Sequence, residues 1–458
     1  MGGDRRKSAR LLGIASAVAV MWFVVIDRSL CLASENLDAL SQGPSSPTRR
    51  SPVGQSSIVN TVAEIDAAKR LLKKGKVAAA LKRIERVLTD DPSNQKALQL
   101  KANALRREGR FADSTQIYRL LLNHEDFDTR LGFTYALFSE GNRLAAQASA
   151  DRLVPDDDSD HEELQDLRRS FTQSYRPHLS TGCDWYSDTD ANQTRKCSLL
   201  STFWLGNWKL GASYQQTEAR NPESVRTADA VVFQSSRSVG EQFKLSGDFG
   251  LQTLSSGIRF PMHFRAEGQL RGAHVTAQLL QDIPTATVQL IENRIRVDGV
   301  GLTVSDNPFD RVATSVNYVH RYYSDLNNSD DLKMSSLFTI MSEPLEAALG
   351  YRFRYLDFER QTKHGYFDPS YFISHELVIN LAFERDRYYG SLESTVGHQA
   401  FLRTHYNSGI SGAAAINVGV RVGKHLSLEM NGEGGNYALG SANGWEYYLA
   451  GTRLIFSF

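Results

Sequence analysis

Apolar and polar residues alternate with a period of two from about residue 175 to the end of the chain. This is the spacing of a β-strand, whose successive side chains point to opposite faces of the sheet. In residues 350–357 (GYRFRYLD) the aromatic and the charged residues separate in this way: Tyr351, Phe353 and Tyr355 alternate with Arg352 and Arg354. Residues 375–384, 416–422 and 451–458 repeat the pattern. The C-terminal part of the chain is therefore predicted to form a large sheet with one apolar and one polar face.

The number and rhythm of these runs favour a membrane-spanning β-barrel over a soluble sheet, although a soluble sheet alternates as well. In hydrocarbon every backbone N–H and C=O must be paired, so a spanning sheet has to close on itself. Turn-forming residues separate the runs, among them Asn221-Pro222, Asn307-Pro308 and Asn407-Ser408-Gly409. The runs predict an antiparallel barrel of about 14–16 strands over residues 175–458. Tryptophans near the predicted strand ends indicate interfacial girdles: Trp185, Trp204, Trp208 and Trp445.

The N-terminus has the three parts of an export signal. A positive segment with Arg5, Arg6, Lys7 and Arg10 precedes the apolar residues 11–26 (LLGIASAVAVMWFVVI). Cys31-Leu32-Ala33 then forms a small-x-small cleavage site before Ser34. Residues 1–33 are predicted to be a cleaved signal peptide, and the Ser-, Pro- and Gly-rich residues 34–56 a flexible linker.

Residues 57–172 are rich in helix-forming residues and contain an internal repeat. Gly75, Gly109 and Gly141 are separated by 34 and 32 positions, and a small residue follows each glycine after five positions. This is the period of tetratricopeptide repeats, in which a glycine lies at the turn between two helices that cross closely. We predict two to three such repeats, or about six helices. Because stacked repeats expose a concave surface, this region is expected to dock a partner protein.

Charge and cysteine content restrict the class of protein further. Lys plus Arg and Asp plus Glu are equal at 52 each, so there is no basic footprint for nucleic acid and no acidic tail. Of the three cysteines, Cys31 would leave with the signal peptide. Cys183 and Cys197 then remain as an even pair in an exported protein, and this predicts a disulfide in the first hairpin of the barrel.

The polar face of the predicted strands supplies the candidate functional residues. If the apolar face meets lipid, the alternating polar positions line the lumen, which suits Arg, Glu and Asn at little cost. The predicted lumen residues are Arg352, Arg354, Glu376, Asn380, Glu384, Glu393, Asn417, Arg421 and Glu429. A register error of one residue would turn each of them outward. The histidines are scattered without an acid or nucleophile partner pattern, so no catalytic residue, metal ligand or cofactor is predicted, and the chain is not expected to be an enzyme.

The order of signal peptide, tetratricopeptide repeats and C-terminal barrel resembles the outer-membrane exopolysaccharide export porins, such as those of poly-N-acetylglucosamine and bacterial cellulose secretion. Residues 365–371 (GYFDPSY) are similar to a Gly-Tyr-Phe-x-Pro segment late in the cellulose-family barrels. The repeat region is much shorter here than in those porins. The resemblance implies an α + β multidomain protein in the bacterial outer membrane. Its barrel would export a polysaccharide, and its periplasmic repeats would dock a synthesis or modification protein of the periplasm or inner membrane.

Two other functions fit the same sequence. The barrel can be a general or solute-specific porin, in which case it conducts small solutes and has no polymer phenotype. It can also be a membrane anchor, without transport, for a docking module, in which case its lumen is plugged or narrow. In each case the barrel is expected to contact outer-membrane lipid, and no nucleic acid is expected as a partner.

Overall fold

The structure is a computed structural model, described here for residues 55–73, 75–123, 126–239, 243–254, 257–270, 273–309, 311–342, 345–362, 364–436 and 446–458. The predicted signal peptide, and the predicted linker as far as residue 54, lie outside the described residues. The chain divides into two compact units, Met1–Thr61 and Val62–Phe458, and the second contains the repeats after Thr61 and the whole barrel. Among the described residues, no helix has both the length and the apolar character to cross a membrane.

The N-terminal described region is a series of antiparallel helices. Their bounds are α1 Gln55–Lys73, α2 Val77–Asp90, α3 Gln95–Arg107, α4 Phe111–Leu121, α5 Phe127–Ser139, α6 Arg143–Ala150 and α7 Asp158–Tyr175. The three predicted turn glycines lie between α1 and α2, α3 and α4, and α5 and α6, with φ of +70°, +78° and +75°. Glycine adopts this left-handed conformation without a steric penalty, which explains its recurrence at these turns.

The helices pack through small residues, as the repeat spacing predicts. Ala80, Ser114 and Ala146, each five positions after a turn glycine, are fully buried. Asn94 caps α3 and Asp126 caps α5, each accepting a hydrogen bond from a backbone N–H in the first turn. The helical region is thus tetratricopeptide-like, and this part of the predicted fold class is confirmed.

The rest of the chain is one closed antiparallel sheet. Its strands are β1 His178–Asp188, β2 Gln193–Leu205, β3 Trp208–Arg220, β4 Val225–Val239, β5 Phe243–Leu254, β6 Gly257–Arg259, β7 Met262–Leu270, β8 Ala273–Asp282, β9 Val297–Phe309, β10 Val312–Tyr323, β11 Asn328–Met341, β12 Glu346–Phe358, β13 Tyr371–Arg385, β14 Tyr388–Leu402, β15 Tyr406–Val422, β16 Leu426–Gly435 and β17 Tyr447–Ser457. A short helix, α8 Val288–Asn293, lies between β8 and β9. Both β6 and β7 pair with β5, so they form one spanning strand interrupted at Phe260 and Pro261. Pairing of β1 with β17 closes a barrel of sixteen strands.

The outer face of the barrel is apolar. Large apolar side chains at alternating positions are exposed, for example Leu377 at 57%, Val396 at 55% and Ile410 at 73%. In a soluble protein such side chains would form the core, whereas a membrane barrel presents them to lipid. The barrel has a short-turn end, where tight connections such as 206–207 and 386–387 join the strands, and a long-loop end, which carries the segments 283–296 and 359–370.

Two predicted turns lie inside strands. Asn307-Pro308 belongs to β9, where the register with β10 shifts at a bulge, so the missing N–H of Pro308 costs no ladder hydrogen bond. Asn407-Ser408-Gly409 belongs to β15, and the chain turns before it at residues 403–405. In both cases pairing with the neighbouring strand continues through the predicted turn, so pairing and not local turn propensity sets the strand boundary.

Candidate functional site

The pairing register puts all nine predicted lumen residues on the face of the sheet opposite the exposed apolar side chains. Directly paired residues of an antiparallel ladder share a face. Arg352 pairs with Glu376 and Asn380 with Glu393, while their sequence neighbours Tyr351, Leu377 and Ile379 are exposed on the outside. The remaining residues follow the same register: Arg354, Glu384, Asn417, Arg421 and Glu429. Their role as a substrate path stays a prediction.

One group of these residues lies on β12 to β14. Arg352 donates from Nη2 to Glu393 Oε1 at 2.7 Å, and its Nη1 lies 3.9 Å from Glu376 Oε2. Glu376 is only 3% exposed, and its Oε1 has no hydrogen-bond partner in the structure. Asn380 lies on the same face beside Glu393. A buried acceptor without a donor carries a cost in free energy.

A second group centres on Asp331, which is 1% exposed. Arg354 donates to the Asp331 carboxylate through Nε at 2.9 Å and through Nη2 at 3.1 Å. Arg321 Nη1 also donates to it at 3.3 Å, and Lys333 Nζ lies 3.9 Å from it. Three cations therefore surround one carboxylate on this wall. Sequence reasoning missed Asp331 because the preceding residues 327–330 (NNSD) have the composition of a turn, whereas β11 begins at Asn328. The alternation of Asp331, Lys333 and Ser335 is the signal that could have identified it.

A third group lies near the short-turn end. Arg421 Nη2 donates to Glu384 Oε1 at 2.6 Å, and its guanidinium lies 4.9 Å from the centre of the Tyr389 ring. Tyr389 in turn donates to Glu429 Oε1 at 2.9 Å. Cation, aromatic ring and carboxylates alternate along this wall, with one guanidinium group and two carboxylates in the group. Asn417 lies on the same face, paired with Ser391 and Asn431.

At the long-loop end a group of the inward-facing residues is apolar, and α8 packs against them. Ala219 of β3, Ala228 of β4 and Leu254 of β5 form a buried cluster with Ile283, Val288 and Ile291. The other side of α8, with Leu290, belongs to a second buried cluster on the opposite wall. That cluster contains Val297, Leu356, Phe358, Phe372 and Phe401, together with Ile295, Tyr366 and Phe367. Because α8 contacts both walls, the segment 283–296 lies across the inside of the mouth.

The second segment in the mouth comprises residues 359–362 and 364–370, and it carries the GYFDPS residues. Asp368 is buried and accepts from Arg403 Nε at 2.7 Å, and Tyr366 donates to Asp325 Oδ2 at 2.7 Å. Burial raises the pKa of the Tyr366 hydroxyl above its ordinary value, so it remains a hydrogen-bond donor. Gly365 has φ of +95°, and a Cβ added there would lie 2.6 Å from Gln289 Cβ and 3.1 Å from Leu290 N. This position therefore tolerates only glycine.

Polar contacts tie the two mouth segments to each other and to the wall. Thr287 caps α8 and donates to the Gly365 carbonyl at 3.1 Å, and Asn293 Nδ2 donates to the His364 carbonyl at 3.4 Å. Arg226 of β4 forms an ion pair of 2.7 Å with Glu292. Residues 283–296, 359–362 and 364–370 thus form one unit, called the lid below. Sequence reasoning missed α8, although Thr287 before Val-Gln-Leu-Ile is a helix-start signal.

The helical repeats contact the short-turn end of the barrel. The side chain of Asn207 accepts from Leu144 N at 2.9 Å and donates to Asn142 Oδ1 at 3.2 Å. Gln269 Nε2 donates to the carbonyl of the turn residue Gly109 at 2.9 Å. Trp204 faces inward and meets Tyr175 of α7 edge-on, with ring centroids 5.0 Å apart, so the girdle interpretation of Trp204 is wrong. Trp185 and Trp208 are exposed on the outer face, and Trp445 lies outside the described residues.

Cys183 and Cys197 form the disulfide that their pairing in the sequence suggests. They lie directly opposite each other in the ladder between β1 and β2. The bond therefore joins the first hairpin, whose β1 also forms the closing seam with β17.

The barrel is similar in fold to a solved bacterial polysaccharide outer membrane secretin, with a TM-score of 0.50, 11% sequence identity, and coverage of 62% of this chain and 98% of that chain. A BenF-like porin from Pseudomonas fluorescens Pf-5 also matches, with a TM-score of 0.36, 9% identity, and coverage of 62% and 98%. The first tetratricopeptide repeat domain of Spaghetti (RPAP3), bound to an HSP90 peptide, matches 24% of this chain and 94% of its own, with a TM-score of 0.22 and 20% identity. No protein-family model and no curated protein matches the sequence.

At 11% identity the first of these likenesses shows the fold alone. With the closed sheet and the apolar outer face, it identifies the chain as a tetratricopeptide-like helical region followed by a sixteen-strand outer-membrane β-barrel. This is the architecture that the order of segments in the sequence predicts. Barrels of the porin and secretin type are typically non-enzymatic.

Proposed function

We propose that this protein exports a polysaccharide across the outer membrane through the barrel lumen, while its repeats recruit a partner protein on the periplasmic side. The observation that carries the proposal is the contact of the helical repeats with the short-turn end of a sixteen-strand barrel whose inner face carries charged and polar residues. In outer-membrane barrels the short turns face the periplasm and the long loops face outward. The repeats would then meet the polymer before it enters the lumen.

The lumen wall has the chemistry that a long polar polymer requires. Carboxylates, guanidinium groups, amides and tyrosines alternate along β12 to β16 and satisfy one another at 2.6–2.9 Å. Such a wall offers many weak contacts and no deep trap, so a chain can bind well enough to enter and still slide. The mixed signs predict no strong preference for an anionic or a cationic polymer.

The repeats would dock a polysaccharide synthesis or modification protein of the periplasm or inner membrane. Transport would be driven by polymer synthesis on the inner side of the envelope, with the barrel as a passive conduit and not an enzyme. The solved barrel with the same fold is described as a polysaccharide secretin, and we extend that cargo class to this chain as part of the proposal.

Polysaccharide fractionation in a strain without this protein tests the proposal. We expect polymer to disappear from the medium and cell surface and to accumulate in the periplasm, with export restored by the native chain. A variant without the repeats, whose barrel is still inserted, should fail to restore export. Unchanged distribution of a polymer that the strain demonstrably makes would contradict the export function.

The lid favours a second candidate function, that of a membrane-anchored docking protein without transport. Because the lid lies between two walls of the mouth, this form of the barrel is narrowed at the outer end. The two candidates predict different polymer distributions. If the barrel is only a membrane anchor, replacing it by another anchor that carries the same repeats leaves polymer secretion intact. A general solute porin predicts steady conductance of small ions by the native chain, without a polymer phenotype.

A further inference from the structure

The outer face of the barrel has an indentation of about 900 Å³ near the long-loop end, where β14 to β17 continue into β1 to β3. Its floor consists of positions that lack a large side chain: Ala414, Gly432, Gly434 and Ala450. A Cβ added at Gly432 would meet nothing nearer than Ile416 Cγ2 at 3.5 Å, so the floor is open and not filled by neighbours. We call this indentation the outer groove.

Exposed apolar and aromatic side chains form the edges of the outer groove. Ile416 is 50% exposed, and on the other side Trp185 and Tyr448 are 47% and 66% exposed. The pairing register shows that all three are on the outward face: Ile416 lies opposite Gly432, Trp185 opposite Ala450, and Tyr448 opposite Gly434. The groove therefore opens to the membrane and not to the lumen.

Two arginines lie beyond Trp185 on the same face. Trp185 pairs with Arg195, and Arg195 pairs with Glu218. Both arginines contact the carboxylate of Glu218: Arg195 Nη2 lies 3.8 Å from Oε2, and Arg220 Nη2 lies 3.4 Å from Oε1. Two guanidinium groups against one carboxylate leave one positive charge at the edge of the groove. Both arginines are half-exposed and have donors available for an anion such as a phosphate.

The floor and the arginines lie at different depths. In β16 (Leu426–Gly435) the short-turn end is Leu426, and Gly432 lies six residues from it. In β2 (Gln193–Leu205) the short-turn end is Leu205, and Arg195 lies ten residues from it. With about 3.3 Å per residue and a strand tilt of about 40°, the arginines lie about 10 Å nearer the long-loop end. The apolar floor is thus at the depth of lipid chains, and the arginines are at the depth of headgroups.

We propose that the outer groove is a binding site for a phosphate-bearing anionic lipid of the leaflet at the long-loop end. An acyl chain lies on the Gly432 and Ala450 floor, and the phosphate lies between Arg195 and Arg220. The occupant is a lipid because the groove faces hydrocarbon and combines an apolar floor with one net positive charge at headgroup depth. This site is independent of what the lumen transports.

Native mass spectrometry of the full chain in detergent tests the site with dimyristoyl phosphatidylglycerol and dimyristoyl phosphatidylcholine as probes. We expect the native chain to retain phosphatidylglycerol at least about tenfold better than phosphatidylcholine, the range of a few charge-assisted hydrogen bonds. In the double variant Arg195→Gln, Arg220→Gln this preference should disappear. Gly432→Leu fills the floor and should lower retention of both lipids about fivefold or more.

Matched controls place the same changes elsewhere on the outer face. Arg385→Gln removes an exposed outward arginine at the short-turn end, and Ala212→Leu adds an apolar side chain on β3 outside the groove; both should retain the lipids as the native chain does. The method reads the lipid-to-protein ratio of folded barrels, so partial misfolding of a variant does not alter the result. Equal retention of the two lipids by the native chain, or native retention by either groove variant, overturns the proposal. Inorganic phosphate at the same concentration should not displace the lipid, since the floor contributes to binding.

Discussion

At the scale of single residues, the lid depends on the absence of a side chain at Gly365. An alanine there needs a left-handed backbone conformation and places its Cβ against Gln289 of α8. The conformational part alone costs about 1–2 kcal/mol. We therefore expect Gly365→Ala to release the lid and to raise the rate of chymotrypsin cleavage after Tyr366 and Phe367 about tenfold.

The control for this variant is Gly409→Ala. Gly409 has an ordinary strand conformation, and a Cβ added there would meet no atom within 4 Å. Its cleavage pattern should equal that of the native barrel. Equal cleavage of the lid in Gly365→Ala and in the native chain would show that the lid does not depend on this turn.

Asp331 is the residue on which the charge of the lumen wall depends most directly. Its replacement by Asn removes the negative charge that Arg321, Lys333 and Arg354 all contact. In a barrel whose lid has been removed, we expect Asp331→Asn to shift the reversal potential in a salt gradient toward anion selectivity. Glu384→Gln is the control for loss of one lumen carboxylate, because Glu384 contacts a single arginine. A shift no larger than that of the control would argue against Asp331 as a focus of lumen charge.

The side of the sheet on which a residue lies could be predicted from the sequence, but its partners could not. Alternation put Arg352, Arg354 and Glu376 on one face, and the register agrees. Which carboxylate each arginine contacts depends on the register between neighbouring strands, as with Arg354 of β12 and Asp331 of β11. Alternation is a local property, whereas an ion pair across strands requires the register of two strands at once.

At the scale of elements, the lid should control the width of the mouth. Replacing residues 284–295 by a flexible Gly-Ser segment of equal length removes α8 from both walls. We expect single-channel conductance in planar bilayers to rise severalfold, because the apolar cluster inside the mouth is lost. As a control, the same replacement of residues 221–224, which connect β3 and β4, should leave conductance unchanged. An unchanged conductance in the lid variant would place the narrowest point elsewhere in the lumen.

In the helical region, carboxylates gather where α5 and α7 pack together. Partial burial raises the pKa of Asp128, and the charges of Asp126, Asp160 and Asp157 raise it further, while Lys69 opposes them. Burial likewise raises the pKa of Glu163, with Asp128 and Asp160 as the largest charge contributions. A carboxyl with a raised pKa in the folded state stabilises the fold below that pKa, and this stability is lost as the pH rises through it.

We therefore expect amide exchange in α7, measured by mass spectrometry and corrected for intrinsic rates, to become slower as the pH falls from neutral toward the ordinary carboxyl range. The double variant Asp128→Asn, Glu163→Gln should show slow exchange at neutral pH and little pH dependence. Asp151→Asn, a surface change at the end of α6, serves as the control and should retain the native profile. Identical profiles for the double variant and the native chain would contradict this account.

The repeats were predictable as elements, and the lid was not. Gly75, Gly109 and Gly141 mark turns whose geometry is set by a few neighbouring residues, so their period could be found in the sequence. The helix α8 has only six residues and would be unstable alone. It forms because Val288, Leu290 and Ile291 find apolar partners on both walls of the closed barrel. The same closure buries Tyr366 and Phe367 against the wall, so residues 365–371 are not an exposed surface turn.

At the scale of the whole molecule, the disulfide supports closure of the barrel. It joins opposite residues of β1 and β2, and β1 must also pair with β17, the last strand in the chain. Cross-linking a segment of this length stabilises the folded state by about 3 kcal/mol in the chain-entropy model. We expect Cys183→Ser, Cys197→Ser to lower the temperature at which the folded band disappears in unboiled gel electrophoresis. Ser187→Ala, on the same outer face of β1, is the control, and an unchanged temperature in the double variant would mean that the seam does not need the bond.

The sequence by itself determined the order of segments, the helical repeat, the presence of a barrel and the face on which each alternating residue lies. These properties follow from short-range periodicities of about 3.6 and 2 residues and from turn glycines, and each is set by neighbours in the chain. Tertiary structure alone decided the sixteen-strand closure, the partners of Asp331, the lid across the mouth and the outer groove. The partners of Asp331 require the register of three consecutive strands, β10 to β12. The closure, the lid and the outer groove require strands far apart in sequence to lie side by side, as Gly432, Ala450, Trp185 and Arg195 do in one row across four strands. Local periodicity contains no information about such a row, because only the register of the closed sheet brings its members together.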